Sequence, residues 1–227
     1  MYIINLEINM EWSIEKKRRL NNDNDNKVPR YFKTAKLQLP EDHMIYAVGN
    51  EIHFTAEINK DNIEKMIKQI TKIIEKNGEK YSGKYRTGDD KLTIAYIVDS
   101  PGGCVSSVLK FVDFIQMVKE KHPYVEFISI ITGLVASAGT IMCIVADKRM
   151  MTKNAYAMIH ELSSGRNGKY THLMSYSEYL CGLHNTLLNI YLNGSPKSKE
   201  DLEKILNTES WFNAEQYLAN GFVDEIK

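Results

Sequence analysis

From His43 onward, apolar and polar positions alternate in a regular way. "MIYAV" and "IHFTAEI" carry clustered and alternating β-branched residues, which predicts two strands. "NKDNIEKMIKQITKIIEKN" places Ile63, Met66, Ile67, Ile70, Ile73 and Ile74 at helical spacing, with Lys and Glu between them. "GEKYSGKYRTGDD" is polar and glycine-bearing, so it reads as a loop. "KLTIAYIVDS" then reads as a buried strand, "PGGCVSS" as a turn, "VLKFVDFIQMVKEK" as a helix and "VEFISIIT" as a strand. Strands alternating with helices predict an α/β fold, with mainly parallel strands joined by right-handed crossover helices.

Between Glu126 and Asp147 there is no charged residue. That run has the length of a membrane span, about 20 residues. Two buried elements back to back produce the same length: a strand through "FISIIT" and a core helix through "TIMCIVA". Gly133 and Gly139 between them, and the missing aromatic belt, favour the two-element reading. Met150–Ile159 is predicted as one further strand ending at His160. Upstream, "NNDNDNK" is low-complexity and polar and reads as a joint. Residues 1–40 are therefore expected to be an arm and linker, and 41–227 the folded domain.

Charge removes several function classes. The 29 basic and 29 acidic residues cancel, so no global field draws nucleic acid or anionic lipid. No G-x-x-x-x-G-K-[ST] loop is present, so the chain does not read as an ATPase. Cys104, Cys143 and Cys181 have no metal spacing. They are expected to be buried thiols in a reducing compartment, and no metal or other cofactor is implied. The N-terminus has acids early and bases late, the reverse of a secretory signal, so the expected location is cytoplasmic.

Two strand-to-helix turns carry candidate chemistry: Ser100–Gly103 and Gly133–Gly139. In an open parallel sheet both fall at the carboxyl ends of strands, where such folds place their sites. Glycine allows close backbone approach, and N–H groups at a helix start point outward. Two such turns side by side would form an oxyanion hole. Ser137 is expected one residue inside the second helix, with its hydroxyl accessible. One helix and one strand later, His160 returns to the same sheet edge as a candidate base. Glu209, Glu215, Asp224 and Glu225 are the acids that could orient it.

"DSPGG", "GLVASAG", "MIH" and "WFNAEQYLANGFVDEI", in this order, resemble the ClpP-type caseinolytic serine proteases over roughly Glu51–Ile226. The resemblance implies a ClpP/crotonase-like core with a projecting helix, and a serine endopeptidase that assembles into rings. Ser137 takes the nucleophile position, His160 the base and Glu209 the acid, with Asp224 as the rival. Gly103 and Ala138 take the oxyanion-hole positions. Gly102, Cys104 and Val105 on one side, and Leu162 and Ser163 after His160 on the other, would hold peptide as an added β-strand. The implied substrates are peptides or unfolded proteins, and the implied partner is a separate AAA+ unfoldase that supplies the ATP-driven step.

The implied assembly is a homo-oligomeric ring of about seven subunits. A double ring is in doubt, because Thr208 stands where many relatives carry an Arg that pairs across stacked rings. Glu209 also departs from the usual Asp, and Ala138 from the usual Met. Signal-peptide peptidase A relatives share "SAG", but they use a lysine base and usually a membrane anchor. Abundant Lys, Asn and Ile suggest an AT-rich genome such as a phage or other virus, where the same chemistry could process viral proteins. Two other readings stay open. One is a catalytically silent ring subunit with an assembly or regulatory role. The other is an acyl-CoA hydratase or isomerase on the same core.

Overall fold

A computed structural model of the protein describes residues 44–82 and 90–227. The expected arm over 1–40 lies outside the described residues. The chain forms β1 (Ile45–Val48), β2 (Glu51–Phe54), α1 (Lys60–Ser82), β3 (Leu92–Ser100), α2 (Val105–Lys121) and β4 (Val125–Ala136). It continues as α3 (Ala138–Ile144), β5 (Lys148–Met151), β6 (Tyr156–Ile159), α4 (Tyr170–Gly194) and α5 (Lys199–Leu206). It closes with β7 (Ser210–Asn213), α6 (Ala214–Ala219) and β8 (Glu225–Ile226).

The sheet runs β1-β2-β3-β4-β5-β8, and β6 and β7 branch from β4. Pairing is parallel throughout, except that β1 runs antiparallel to β2 and β7 antiparallel to β6. This is the expected α/β fold. On β3, Leu92, Ile94, Tyr96 and Val98 are buried on one face. Tyr96 meets Phe111 of α2 edge-on at 5.8 Å and donates to the Met142 carbonyl of α3 at 3.1 Å. The same core takes the predicted stripe of α1, where Ile63, Met66 and Ile70 are fully buried. Each such side chain contributes about 1.5–3 kcal/mol by leaving water.

Four expectations need correction. First, α1 continues to Ser82, through the first part of the predicted loop; of the rest of that loop, residues 83–89 lie outside the described residues and Asp90 is in irregular chain. Second, β4 does not stop before Gly133. It bends there, at φ +57, and goes on to Ala136. Third, Met150–Ile159 is not one strand. β5 pairs with Ile128–Ile131 of β4, and β6 pairs with Leu134–Ala136 beyond the bend. Each short strand takes one arm of β4, and the polar Thr152–Asn154 connect them. Fourth, only Cys143 is buried; Cys104 and Cys181 are exposed.

The charge-free run is thus the long strand β4 followed by the buried helix α3. Among the described residues, no helix is long and apolar enough to cross a membrane. Helix α4 buries only Leu187, Leu188 and Tyr191 near its C-terminal end. Its first half stands away from the core, with Tyr170, Leu173, Met174 and Tyr179 exposed. In the segment before it, Arg166 lies over the Tyr176 ring at 5.0 Å, and the Ser164 hydroxyl meets the Tyr176 hydroxyl.

Candidate active site

Past its bend, β4 delivers Ser137 into a turn with φ 53 and ψ −125. It is the one non-glycine residue with positive φ among the described residues. Such a conformation costs roughly 1–3 kcal/mol and persists only where the surroundings enforce it. Here the Ser137 N–H donates to the Met158 carbonyl at 2.8 Å, and the Ser137 carbonyl accepts from Thr140 N–H at 3.0 Å. Ser137 stands just ahead of α3 rather than one residue inside it, and its hydroxyl does not cap the helix.

The other glycine turn packs directly on this one. A Cβ at Gly102 would lie 2.5 Å from the Ala136 carbonyl oxygen and 2.8 Å from Ser137 Cβ. The chain can bring the two turns together only with glycine there. Ser100, fully buried, ties the second turn down: its Oγ donates to the Ala56 carbonyl at 2.7 Å and accepts from Gly102 N–H at 3.2 Å. Ile58 bonds to both neighbours of Gly103, through Ile58 N–H to the Gly102 carbonyl and Cys104 N–H to the Ile58 carbonyl, each at 2.7 Å. In such a parallel bridge the central residue's own N–H points to the opposite side. Ala138 N–H opens α3, where first-turn donors lack intrahelical partners.

His160 follows β6 directly. Pairing of Ala157 and Met158 with Val135 and Ala136 carries it alongside Ser137. Ser137 Oγ lies 2.8 Å from His160 Nε2. Among the described residues no hydrogen bond is made to His160 Nδ1. Glu209 does not reach it: its carboxylate is exposed and accepts from Trp211 Nε1 at 2.9 Å. The register sets Ser210 opposite Ile159 and Trp211 opposite Met158. Continued by one residue, it sets Glu209 opposite His160. Side chains of such a pair share one face, with Cβ atoms about 5 Å apart.

The rival acid is occupied elsewhere. Asp224 forms an ion pair with Arg149, with Oδ2 3.1 Å from Nε and Oδ1 2.5 Å from Nη2, and also accepts from Arg149 N–H at 2.8 Å. These bonds hold its carboxyl below the usual range. Glu225 pairs with Lys148 at 2.8 Å, and Glu215 sits in the first turn of α6.

Gly103, Val105, Ser137, Ala138, His160, Leu162 and Ser163 line one small cavity of about 80 Å³. Gly102, Cys104 and Glu209 do not line it. The Cys104 backbone is spoken for, because its N–H bonds Ile58 and its carbonyl accepts from Ser107 and Val108 as α2 begins. Hydrogen bonds from Ser106 and Ser107 lower its exposed thiol to about 7. Leu162 and Ser163 lie in irregular chain, since the strand ends at Ile159. Ile141, Glu161, His184, Leu187, Tyr191 and Leu206 complete the cavity and were missed in the sequence. Leu187 and Tyr191 belong to the apolar stripe of α4, and no local signal distinguishes a cavity wall from a core contact. A larger cavity of about 480 Å³, between Val112, Ile144, Arg149 and Asn193, contains none of these groups. Among the described residues no cluster of His, Cys, Asp and Glu could hold a metal ion.

A serine hydroxyl on an imidazole, beside two glycine-lined turns, is suited to nucleophilic attack on a carbonyl. Comparison with known proteins identifies the family. The ATP-dependent Clp protease proteolytic subunit of Streptococcus gordonii is 34% identical over 142 residues, 61% of this chain and 70% of the relative. Its counterparts from Streptococcus sanguinis and Streptococcus pneumoniae are 33% and 32% identical over the same length. Residues 49–227 match the family described as Clp protease. With its fold, its paired Ser and His and this match over most of its length, the chain belongs to the Clp protease family.

Proposed function

We propose that this chain is a serine endopeptidase subunit that cleaves peptide bonds through Ser137, His160 and Glu209. The observation that carries this is the 2.8 Å contact from Ser137 Oγ to His160 Nε2 at a strained turn. Ser137 Oγ attacks the peptide carbonyl while His160 Nε2 takes its proton. The oxyanion develops between the N–H groups of Gly103 and Ala138. His160 then gives the proton to the leaving amine, and water repeats the sequence on the acyl-enzyme. Glu209 supports the imidazolium at Nδ1. Extending the β6–β7 register by one residue supports this reading, with a χ rotation carrying the Glu209 carboxylate from Trp211 to His160.

Substrates are peptides or unfolded chains, held along Gly103 and Val105 on one side and Leu162 and Ser163 on the other. This chain needs no metal or nucleotide. The relatives' name, ATP-dependent Clp protease proteolytic subunit, suggests that a separate AAA+ unfoldase supplies the ATP-driven step. The subunits close into a ring of about seven by repeating one heterologous contact. The exposed apolar side chains of α4 give a second ring a surface to meet. Among the described residues Thr208 bonds locally, to the Lys204 and Ile205 carbonyls and Ser210, and it offers no charge for that contact.

One observation favours a silent subunit, namely that Glu209 rests on Trp211 rather than on His160. A fluorophosphonate probe decides between the two. Wild type should be labelled on Ser137, and Ser137→Ala should lose labelling and at least ten-thousandfold in peptide cleavage. Native mass and melting temperature should hold. An unlabelled, inactive wild type would establish the silent reading.

A further inference from the structure

Behind the nucleophile lies a buried chain of hydroxyls with no part in the reaction just described. Thr140 Oγ1 donates to the Ser137 carbonyl at 2.6 Å and lies 2.5 Å from Tyr191 Oη. Thr140 is fully buried and Tyr191 is 2% exposed. Thr140 has one hydroxyl proton, and the Ser137 carbonyl takes it. Tyr191 must therefore donate its own proton to Thr140 Oγ1. Phe222 packs against the Tyr191 ring edge-on at 6.2 Å and fixes its place.

The Ser137 carbonyl and the Ala138 N–H belong to one peptide unit. That unit is planar and trans, so its C=O and N–H point in opposite directions. Holding the carbonyl from behind aims the N–H forward, into the cavity that Ser137 and His160 share. We infer that Thr140 and Tyr191 are positioning residues that aim the Ala138 N–H at the developing oxyanion. This inference rests on Ser137 being the nucleophile. It also makes Tyr191, at the root of α4, the link between that helix and the reacting centre. Burial raises the Tyr191 phenol well above its ordinary range. The phenol therefore keeps its proton around neutral pH.

The test compares Tyr191→Phe, Thr140→Val, the double variant and Thr140→Ser in the full-length protein. Each is measured for kcat and KM on a fluorogenic peptide, for the rate of fluorophosphonate labelling, and for melting temperature. Removing an oxyanion donor costs about 100- to 1000-fold, and misaiming one should cost less. The expected result for Tyr191→Phe and Thr140→Val is a tenfold loss of kcat and of labelling rate, with KM within twofold. The pH profile should keep its shape, Thr140→Ser should stay near wild type, and the double variant should be no worse than either single one. The inference fails if both hydroxyl-deleting variants keep wild-type kcat and labelling. It also fails if the loss falls on KM, or if Thr140→Ser is as impaired as Thr140→Val, which would assign the effect to packing. A peptidase that survives Ser137→Ala would instead overturn the assignment of the nucleophile.

Discussion

The two halves of the candidate site are built differently. On the nucleophile side, backbone contacts and buried hydroxyls hold the geometry. Ser137 is bonded through its N–H and its carbonyl, Gly102 packs against it with no room for a methyl group, and Ser100 ties that turn to Ala56. On the acid side, side chains carry the geometry. Glu209 is exposed at the start of a four-residue strand and is engaged by Trp211. A buried backbone arrangement has few alternatives, whereas an exposed carboxylate has several rotamers of similar energy. In the proposed mechanism, the nucleophile and its oxyanion donors are thus preset, and the acid is the adjustable member.

After the loss of Ser137 itself, changing the acid should have the largest effect. Glu209→Gln should lower turnover about a thousandfold with KM little changed, since it removes the charge that supports the imidazolium. Steady-state kinetics on a fluorogenic peptide checks this, and near-wild-type turnover would break the contrast by removing the acid from the site. Gly102→Ala attacks the rigid side. The new Cβ meets backbone at 2.5 Å at a residue with φ +91, so stability should fall by about 3 kcal/mol. Chemical denaturation reads this, and cleavage should fall with it.

Trp211→Phe sharpens the contrast in the other direction. Without the indole N–H, Glu209 is released toward His160, and kcat should rise a few-fold; an unchanged rate would mean that Trp211 does not compete. The smallest effect belongs to Asp224→Asn. It should leave cleavage unchanged and lower stability by about 1 kcal/mol, because the pair with Arg149 is part-exposed and screened. The folded-state pKa of Asp224 is depressed. Its contribution is therefore complete above the unfolded value of about 4 and is lost as pH falls through the lower folded value. Melting curves of the two proteins should differ by a constant amount near neutrality and converge in acid.

Much of this could be read in the sequence where local pattern and final position agree. The Ile and Met stripe of α1, the buried run of β3 and the order of Ser100–Gly103, Ser137 and His160 follow from spacing and turn chemistry. What escaped depends on distant pairing. Gly133 looks like a terminator, yet it bends β4, because Leu134–Ala136 find a partner in β6, 22 residues on. Met150–Ile159 looks continuous, yet the bend in β4 divides it. Cys104 was read as buried, but it opens α2 at the surface. Tyr191 shows only as one apolar position among many in α4; that its hydroxyl meets Thr140 depends on how two helices cross. Glu209 was placed by resemblance, and its contact with Trp211 follows from strand alternation only once residues 209–211 are known to be extended.

The positive φ at Ser137 also shapes which changes the lineage can tolerate. A β-branched threonine offers the same hydroxyl but cannot adopt this backbone comfortably. Glycine adopts it without strain. With Ser137 as the proposed nucleophile, replacing it by glycine would relieve the turn while erasing the reaction, so selection for robustness and selection for chemistry oppose each other at this position. Where the chemistry is no longer needed, the easiest path leads to a better-folded subunit that keeps its place in an assembly and does nothing to its substrates.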